Sequence, residues 1–380
     1  MSALMAIIHD TWRQSKHQWV MILLIAVVAI YVPIVVFFLE VREAPDGSKF
    51  LGTVFMKETA QNGMEGQWNG VYAKALRKEM GYDDEISERS EKLNEMLDYM
   101  QDLDFEIKLL QRNEPDNPKL KSMMDEYREL ERQRDKSSRD LFELRKYIRE
   151  EVSRLTEMRT ADISKLQKGV EWWLADSATF LFSVSLILYI FVCAGYIPNM
   201  IESGSIDLVL SKPVRRWHIY FGKYLGGLLL YSTVLLIAYL LIFIGVGVKT
   251  GVWHWAFFGA LPMTLFSLAL LYALIAWVGL WTRSTLMSAI LGLVYYVIID
   301  SAIGWLGDSG SLPFLNDIPA IKEMAEIVKF IFPSFVWLRE SATAAVLSVN
   351  VFPWKHVIVG LVWLVVCLGT SYNRFRINDY

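Results

Sequence analysis

Residues 201–223 read IESGSIDLVLSKPVRRWHIYFGK. They lie between two long apolar runs, 177–201 and 224–248, and contain acids, glycines, a proline and a cluster of Lys and Arg that a plain turn would not need. Gly204 permits a bend where the first run leaves the membrane. After Pro213, which a first helical turn tolerates, Trp217, Tyr220, Phe221 and Tyr224 recur at helical spacing. Arg215, Arg216 and Lys223 flank that stripe. The pattern predicts a helix, a break and a second helix lying along one membrane face. Chemistry alone leaves two uses open: an anchor held by headgroup phosphates and an aromatic belt, or a docking ridge for a partner on that side.

The apolar runs on either side belong to a larger set. Of the 380 residues, 54% are hydrophobic, concentrated in long blocks rather than alternating with charge. The blocks are 18–39, 177–201, 224–248, 252–281, 284–307 and 354–372, each long enough for a hydrocarbon core of about 30 Å. The first is too long for a signal-peptide core and precedes no small-x-small cleavage site. The fourth is long enough to require a tilt or a kink at Pro262. Six spans place both termini on one side, with Arg13, Lys16, Lys212, Arg215, Arg216, Lys223, Arg283, Arg374 and Arg376 against Asp10, Glu202, Asp207 and Asp379. By the positive-inside rule that side is cytoplasmic. Residues 2–17, with Leu4, Ile7, Ile8 and Trp12 on one face, suit either a short helix in the interface or a frayed extension of the first span.

The segment between spans one and two is then external. Ile86, Arg89, Leu93, Met96, Met100, Leu103, Ile107 and Leu110 form a heptad seam. The sequence NEPDNP (113–118) breaks it, and a second seam runs from Leu120 to Leu155 with a polar middle. Two helices around one proline turn predict an antiparallel coiled-coil hairpin, its arms about 39 Å (Ile86 to Gln111) and about 70 Å (Leu120 to about Leu166) long. The longer arm needs a further partner, for which 71–80 or a second copy of the chain qualifies. The hairpin reads either as a device that grips a partner or transmits movement, or as a solvent-facing spacer. The expectation for the whole is an all-α polytopic membrane protein with six transmembrane helices and an extracytoplasmic coiled-coil hairpin. Its boundaries are 1–40 for the N-terminal helix and first span, 41–172 for the external domain, and 173–380 for spans two to six.

Between spans five and six, 308–353 contains an amphipathic then apolar stretch broken by Pro333. It is too short to span, so it predicts re-entrant or interface-lying short helices, with any non-helical backbone buried in protein or lining a cavity. Asp176 and Asp300 sit about one turn inside the outer aromatic belt and are the candidate intramembrane polar residues. No span carries an acid or base at its centre, which counts against proton- or sodium-driven exchange. The two cysteines, Cys193 and Cys367, lie in apolar runs and read as packing residues, not a disulfide, zinc or redox site. No His, Cys, Asp or Glu spacing suggests a metal or catalytic centre, and a net charge of −3 gives no reason to expect nucleic acid.

In the 201–223 connection, Glu202, Gly204, Ile206, Leu208, Leu210, Ser211, Pro213, Val214, Arg216, Gly222 and Lys223 together resemble the signature of the ABC-2 family of ABC-transporter permeases. The six-span body with an interfacial N-terminal helix and re-entrant helices before the last span fits the same family, in the subgroup with an enlarged first external loop. The resemblance implies a permease subunit of an ATP-driven exporter in a prokaryotic cytoplasmic membrane, homodimeric or heterodimeric. Glu202, Gly204, Pro213, Arg215, Arg216, Trp217 and Lys223 would dock on a separate cytoplasmic ATPase subunit. The chain has no Gly-x-x-x-x-Gly-Lys-Ser/Thr loop, and FGKYLGG (221–227) does not replace one. ATP and Mg would therefore be bound by the partner, and this chain would be a coupling element and not an enzyme. The competing reading is a membrane-anchored scaffold or signalling protein whose hairpin recruits an external partner; an intramembrane enzyme finds no converging nucleophile and base.

Overall fold

The computed structural model describes residues 19–43, 47–54, 61–113, 117–196, 198, 216–307 and 331–377. The expected interfacial helix at 2–17, most of the 201–223 connection and the first half of the 308–353 segment lie outside them. Contacts divide the described chain into two units, Asn69–Asp162 and the remainder.

The larger unit is a multi-pass helical bundle. Its elements are α1 (Trp19–Phe37), β1 (Leu39–Glu43), β2 (Lys49–Thr53), the first turns of α2 (Gln61–Glu79), and then, beyond the smaller unit, α5 (Lys165–Cys193) and α6 (Arg216–Thr250). A 3-10 turn (Trp255–Gly259) leads into α7 (Ala260–Thr282). Next come α8 (Thr285–Val294), a π turn (Tyr295–Ile299), α9 (Asp300–Gly307), α10 (Phe335–Val346) and α11 (Trp354–Ile377). Five helical stretches among the described residues are long and apolar enough to cross a membrane: Lys165–Cys193, Arg216–Thr250, Trp255–Thr282, Thr285–Gly304 and Trp354–Ile377. The stretch leading through α7 is the most deeply buried of the five, and α5, α6, α8, α10 and α11 all pack on α7.

Small residues let these helices approach closely, the usual means of association where lipid removes the hydrophobic drive. A Cβ at Gly227 on α6 would stand 2.7 Å from Tyr196 Cε2; at Gly292 on α8, 2.9 Å from Ile275 Cγ1; at Gly360 on α11, 2.9 Å from Phe266 Cζ. Tyrosine hydroxyls then tie spans through backbone carbonyls freed of no helical bond: Tyr231 donates to Ser185 O (2.6 Å) and Tyr224 to Ala269 O (2.6 Å). Cys193 and Cys367 are free and buried, as packing residues should be.

Several expectations are corrected. The chain is mostly helical, not all-α: β1 and β2 pair antiparallel, Leu39 opposite Thr53 and Glu43 opposite Lys49. The burial does not alternate along either strand: Leu39 and Leu51 are buried, but so is Gly52, and Val41 and Glu43, on the same face as Leu39, are exposed. Gly47, at φ +76°, supplies a left-handed residue in the connection. Leu51 seats on α5 where Gly169 has no side chain; a Cβ there would be 2.7 Å from Leu51 Cβ. The second apolar run was expected at 177–201, but its helix starts at Lys165 and stops at Cys193. Ser164 caps the start, accepting from the Gln167 N–H at 3.2 Å. Pro262 does not kink a long fourth span: the 3-10 turn precedes it, and it occupies the first turn of α7, where its missing N–H costs nothing. The helix begun at Pro118 ends at Thr160, not near 166, because the chain turns at 161–164 before α5 begins.

In the smaller unit, α3 (Tyr82–Asn113) and α4 (Pro118–Thr160) pack on each other. Asn117 caps α4 through the Lys119 N–H, with Pro118 at its start. Met100, Leu103 and Ile107 of α3 and Leu141, Ile148 and Val152 of α4 are the buried apolar positions, all on the seams read from the heptads. Tyr99 Oη bonds Glu126 at 2.8 Å, and the Glu126 carboxylate raises the tyrosine's pKa by stabilising its protonated form. Arg159 joins Glu79 of α2 at 2.7 Å.

Gly227→Val would drive a branched side chain into the Tyr196 ring. Overpacking of this kind costs about 1–3 kcal/mol, so the thermal midpoint of purified protein should fall. Gly369→Val, where a Cβ meets nothing within 4 Å, should leave it unchanged.

Candidate functional site

Three of the proposed coupling residues, Arg216, Trp217 and Lys223, belong to the first turns of α6, and their surroundings define one end of the bundle. Arg216 Nη1 donates to Arg376 O (2.9 Å), a carbonyl in the last turn of α11, where a cation complements the helix dipole. Trp217 is 42% exposed and stands outward. One turn on, Tyr220 is buried among Phe221, Tyr372 and Phe375, its ring centroid 6.0 Å from that of Phe375. The Arg374 guanidinium lies 3.9 Å from the Trp281 ring centroid, joining α11 to the end of α7. Lys223 is buried, unlike Trp217. Glu202, Gly204, Pro213 and Arg215 lie outside the described residues.

The chain enters the connection from Tyr196, also buried. Its ring packs 6.2 Å from Tyr272 of α7, and Tyr272 in turn stacks on Tyr224 of α6 at 4.7 Å and meets Tyr189 edge-on at 5.6 Å. Both ends of the connection are therefore rooted in one tyrosine cluster centred on α7. Displacement of either end has to repack Tyr272.

The two candidate intramembrane acids have different surroundings. Asp176 is exposed on α5. Asp300 is 2% exposed, and its Oδ1 accepts the Phe335 N–H at 2.6 Å. Ser334 occupies the N-cap position of α10 but its side chain makes no cap bond, so Asp300 performs that role from another helix. Two further bonds hold the backbone leading into α10: Tyr295 Oη donates to Pro333 O (2.7 Å) and Trp363 Nε1 to Ile331 O (2.7 Å). The 331–335 backbone is thus closed by side chains from three different elements, as a water-poor environment requires.

Sequence reading missed a second polar cluster. Glu171 is 4% exposed, and its carboxylate accepts from Trp68 Nε1 (3.3 Å) and Gln167 Nε2 (3.0 Å). His254 Nδ1 lies 3.6 Å from the same carboxylate, while its Nε2 contacts Val346 O at 2.6 Å. Because a carbonyl only accepts, Nε2 carries a proton there. Lys168 stands over the Trp68 ring at 5.2 Å. The cluster ties α2, α5, the 3-10 turn and the end of α10 together. Its only signal in the sequence was a charged residue beside Trp172 and Trp173, which resembles ordinary interfacial composition. Among the described residues, no group of three His, Cys, Asp or Glu side chains could hold a metal ion.

A family model described as "ABC-2 family transporter protein" matches residues 5–380. Nothing matches the chain among curated proteins or among solved structures.

The capping role of Asp300 yields a discriminating pair of variants. Asp300→Asn keeps an acceptor for the Phe335 N–H and should leave both thermal stability and transport near wild type. Asp300→Ala removes it and should cost about 1–2 kcal/mol, the usual range for a lost cap with a stranded buried donor. Loss of transport in Asp300→Asn with an unchanged melting profile would assign the carboxyl an ion-carrying role instead.

Proposed function

The chain belongs to the ABC-2 family of transporter proteins, and from that premise we propose that it is the permease subunit of an ATP-driven exporter whose nucleotide is bound and hydrolysed elsewhere. The 201–223 connection is the docking ridge for a cytoplasmic ATPase subunit. Glu202, Gly204, Pro213, Arg215, Arg216, Trp217 and Lys223 form or support that ridge. One observation carries the reading: both ends of the connection are rooted in the tyrosine cluster on α7, the helix on which five others pack. A force applied at the ridge reaches Tyr272 through Tyr196 on one side and Tyr224 on the other. An anchor held only by lipid headgroups has no need of such roots.

In this reading α1 is a sixth span, the α3–α4 hairpin is an extracytoplasmic coiled coil, and the protein belongs to the subgroup with an enlarged first external loop. Both termini face the cytoplasm of a prokaryotic cell, and the working unit contains two permease copies, identical or paired with a related chain. ATP and Mg belong to the partner. The transmembrane machinery supplies a path and a conformational change.

Association with the ATPase is the direct test. Arg215→Glu places a like charge against any acidic groove and should weaken co-purification of the ATPase about tenfold or more, equivalent to at least about 1.4 kcal/mol. Arg216→Glu should do the same but also lower stability, since it removes the bond to Arg376 O. Replacing Tyr82–Thr160 by a short linker should leave ATPase association intact. Unchanged association in Arg215→Glu, or the absence of any nucleotide-binding partner, would favour the scaffold reading.

A further inference from the structure

We propose that the ends of α7 and α11 hold one anionic phospholipid, its phosphate on Arg374 and an acyl chain laid along the groove between the two helices. The observation is a clamp at the end of the bundle. Trp281 is the last residue but one of α7 and is 53% exposed. Arg374, three residues before the end of α11, sets its guanidinium 3.9 Å from the centre of that ring. Stacking on an aromatic face keeps a guanidinium flat and leaves its edge to a further group. Arg374 is half-buried and forms no ion pair among the described residues. Its Nε is covered and unbonded, so the two terminal nitrogens are the ones left to a ligand. Two parallel N–H bonds from such nitrogens match the oxygens of a phosphate.

Depth and charge both point to a lipid head group. Trp281 and Arg374 stand where two long apolar helices end, the level at which an aromatic belt meets phospholipid phosphates. The fixed charge there has one sign. Helices α6, α7, α8 and α11 contain no acid, whereas Arg216 and Lys223 stand in the first turns of α6, Arg283 follows α7, and Arg374 and Arg376 close α11. An anionic head group is drawn to this end. A zwitterionic one brings an ammonium that the same cations repel.

An amphiphile suits the clamp better than a free anion because the clamp opens onto an apolar track. Gly360 of α11 packs on Phe266 of α7, and Arg374 on Trp281; the paired numbers differ by 94 and 93, so the two helices run parallel. Steps of four residues back from Arg374 stay on nearly one face of α11 and lead to Thr370, Val366 and Val362, all exposed. Thr370 spends its hydroxyl on Val366 O (2.6 Å). On α7 the same direction leads from Trp281 to Trp277, its ring 6.2 Å away, and to Leu274, both half-buried. Trp363, eleven residues before Arg374, stacks on Phe332 at 5.3 Å and bounds the track at its far end. Eleven residues of helix span about 16 Å, close to half of a hydrocarbon core of about 30 Å. The track is therefore about one leaflet deep, with the cation at its head.

The test uses the full-length chain in a neutral detergent, offered dioleoylphosphatidylglycerol and dioleoylphosphatidylcholine in equal amounts, with retained lipid counted by native mass spectrometry. Wild-type protein should retain phosphatidylglycerol over phosphatidylcholine by about fivefold, the bias expected of one cation near a membrane surface. Arg374→Gln should bring that ratio close to one, and Arg374→Lys, which keeps the charge, should preserve most of it. Because Arg374→Gln also removes the contact with Trp281, Ile377→Glu serves as a second variant. This position is 67% exposed, and a carboxylate three residues from Arg374 competes with the phosphate. It should lower the ratio to the same degree while leaving the thermal midpoint unchanged. Equal retention of the two lipids by wild type overturns the proposal, as does a preference that survives both Arg374→Gln and Ile377→Glu. Displacement of the lipid by excess inorganic phosphate would assign the clamp to a soluble anion and overturn it too. The proposed lipid contacts include no residue of the ATPase ridge and the measurement is made without an ATPase, so its failure leaves the docking reading standing.

Discussion

A backbone N–H or C=O that leaves a helix where water is scarce has to find a partner inside the protein, and that demand organises the bundle. At several breaks in the helical pattern a side chain from a neighbouring element closes the gap. Asp300, Tyr295 and Trp363 hold the 331–335 backbone; His254 reaches Val346 O; Ser341 reaches Val351 O at 2.6 Å. At the end of α1, Lys249 spreads its ammonium between Val36 O and Phe37 O at 2.9 and 3.0 Å. The segment leading into α10 is consequently fastened to the π turn, α9 and α11, most deeply by the buried bond from the Phe335 N–H to Asp300.

The same economy of contacts explains why α7 dominates the packing. It is apolar on every side, and small residues at the crossings, such as Gly292 of α8 and Gly360 of α11, let its neighbours approach it closely. Five tyrosines then supply bulk with a polar tip. Tyr224 and Tyr231 spend theirs on carbonyls of adjacent spans, while Tyr189 and Tyr272 present rings to one another. Because Tyr196 and Tyr224 flank the connection between α5 and α6, that charged joint is also connected to the most deeply buried of the five long apolar stretches.

Much of this was legible in the chain. Apolar blocks and proline breaks located the long helices, and the heptads identified the buried residues of α3 and α4. After Pro333 the described part of the segment before α11 is the short helix α10, in keeping with a stretch too short and broken to span. What escaped was everything that depends on a partner distant in sequence. The strands are five residues each, and only β1 (LEVRE) alternates apolar with polar residues while β2 (KFLGT) does not, too little to outweigh a helical expectation for the whole. Glu171 looked like interfacial charge because Trp68 and His254 are far away along the chain. Asp300 was noticed for its charge, but its task as a cap for Phe335 follows from a contact 35 residues away.

The π turn at 295–299 has a consequence for how this helix is compared with others. One extra residue per turn rotates everything after it by about 100° relative to an uninterrupted α-helix. The residues before 295 and those after 299 therefore keep separate helical phases. Asp300 meets Phe335 only in the second phase; without the inserted residue it would point to a different side of the bundle. Equivalent positions in a relative are to be sought by azimuth on either side of the turn, with a one-residue gap between them, and not by counting through it.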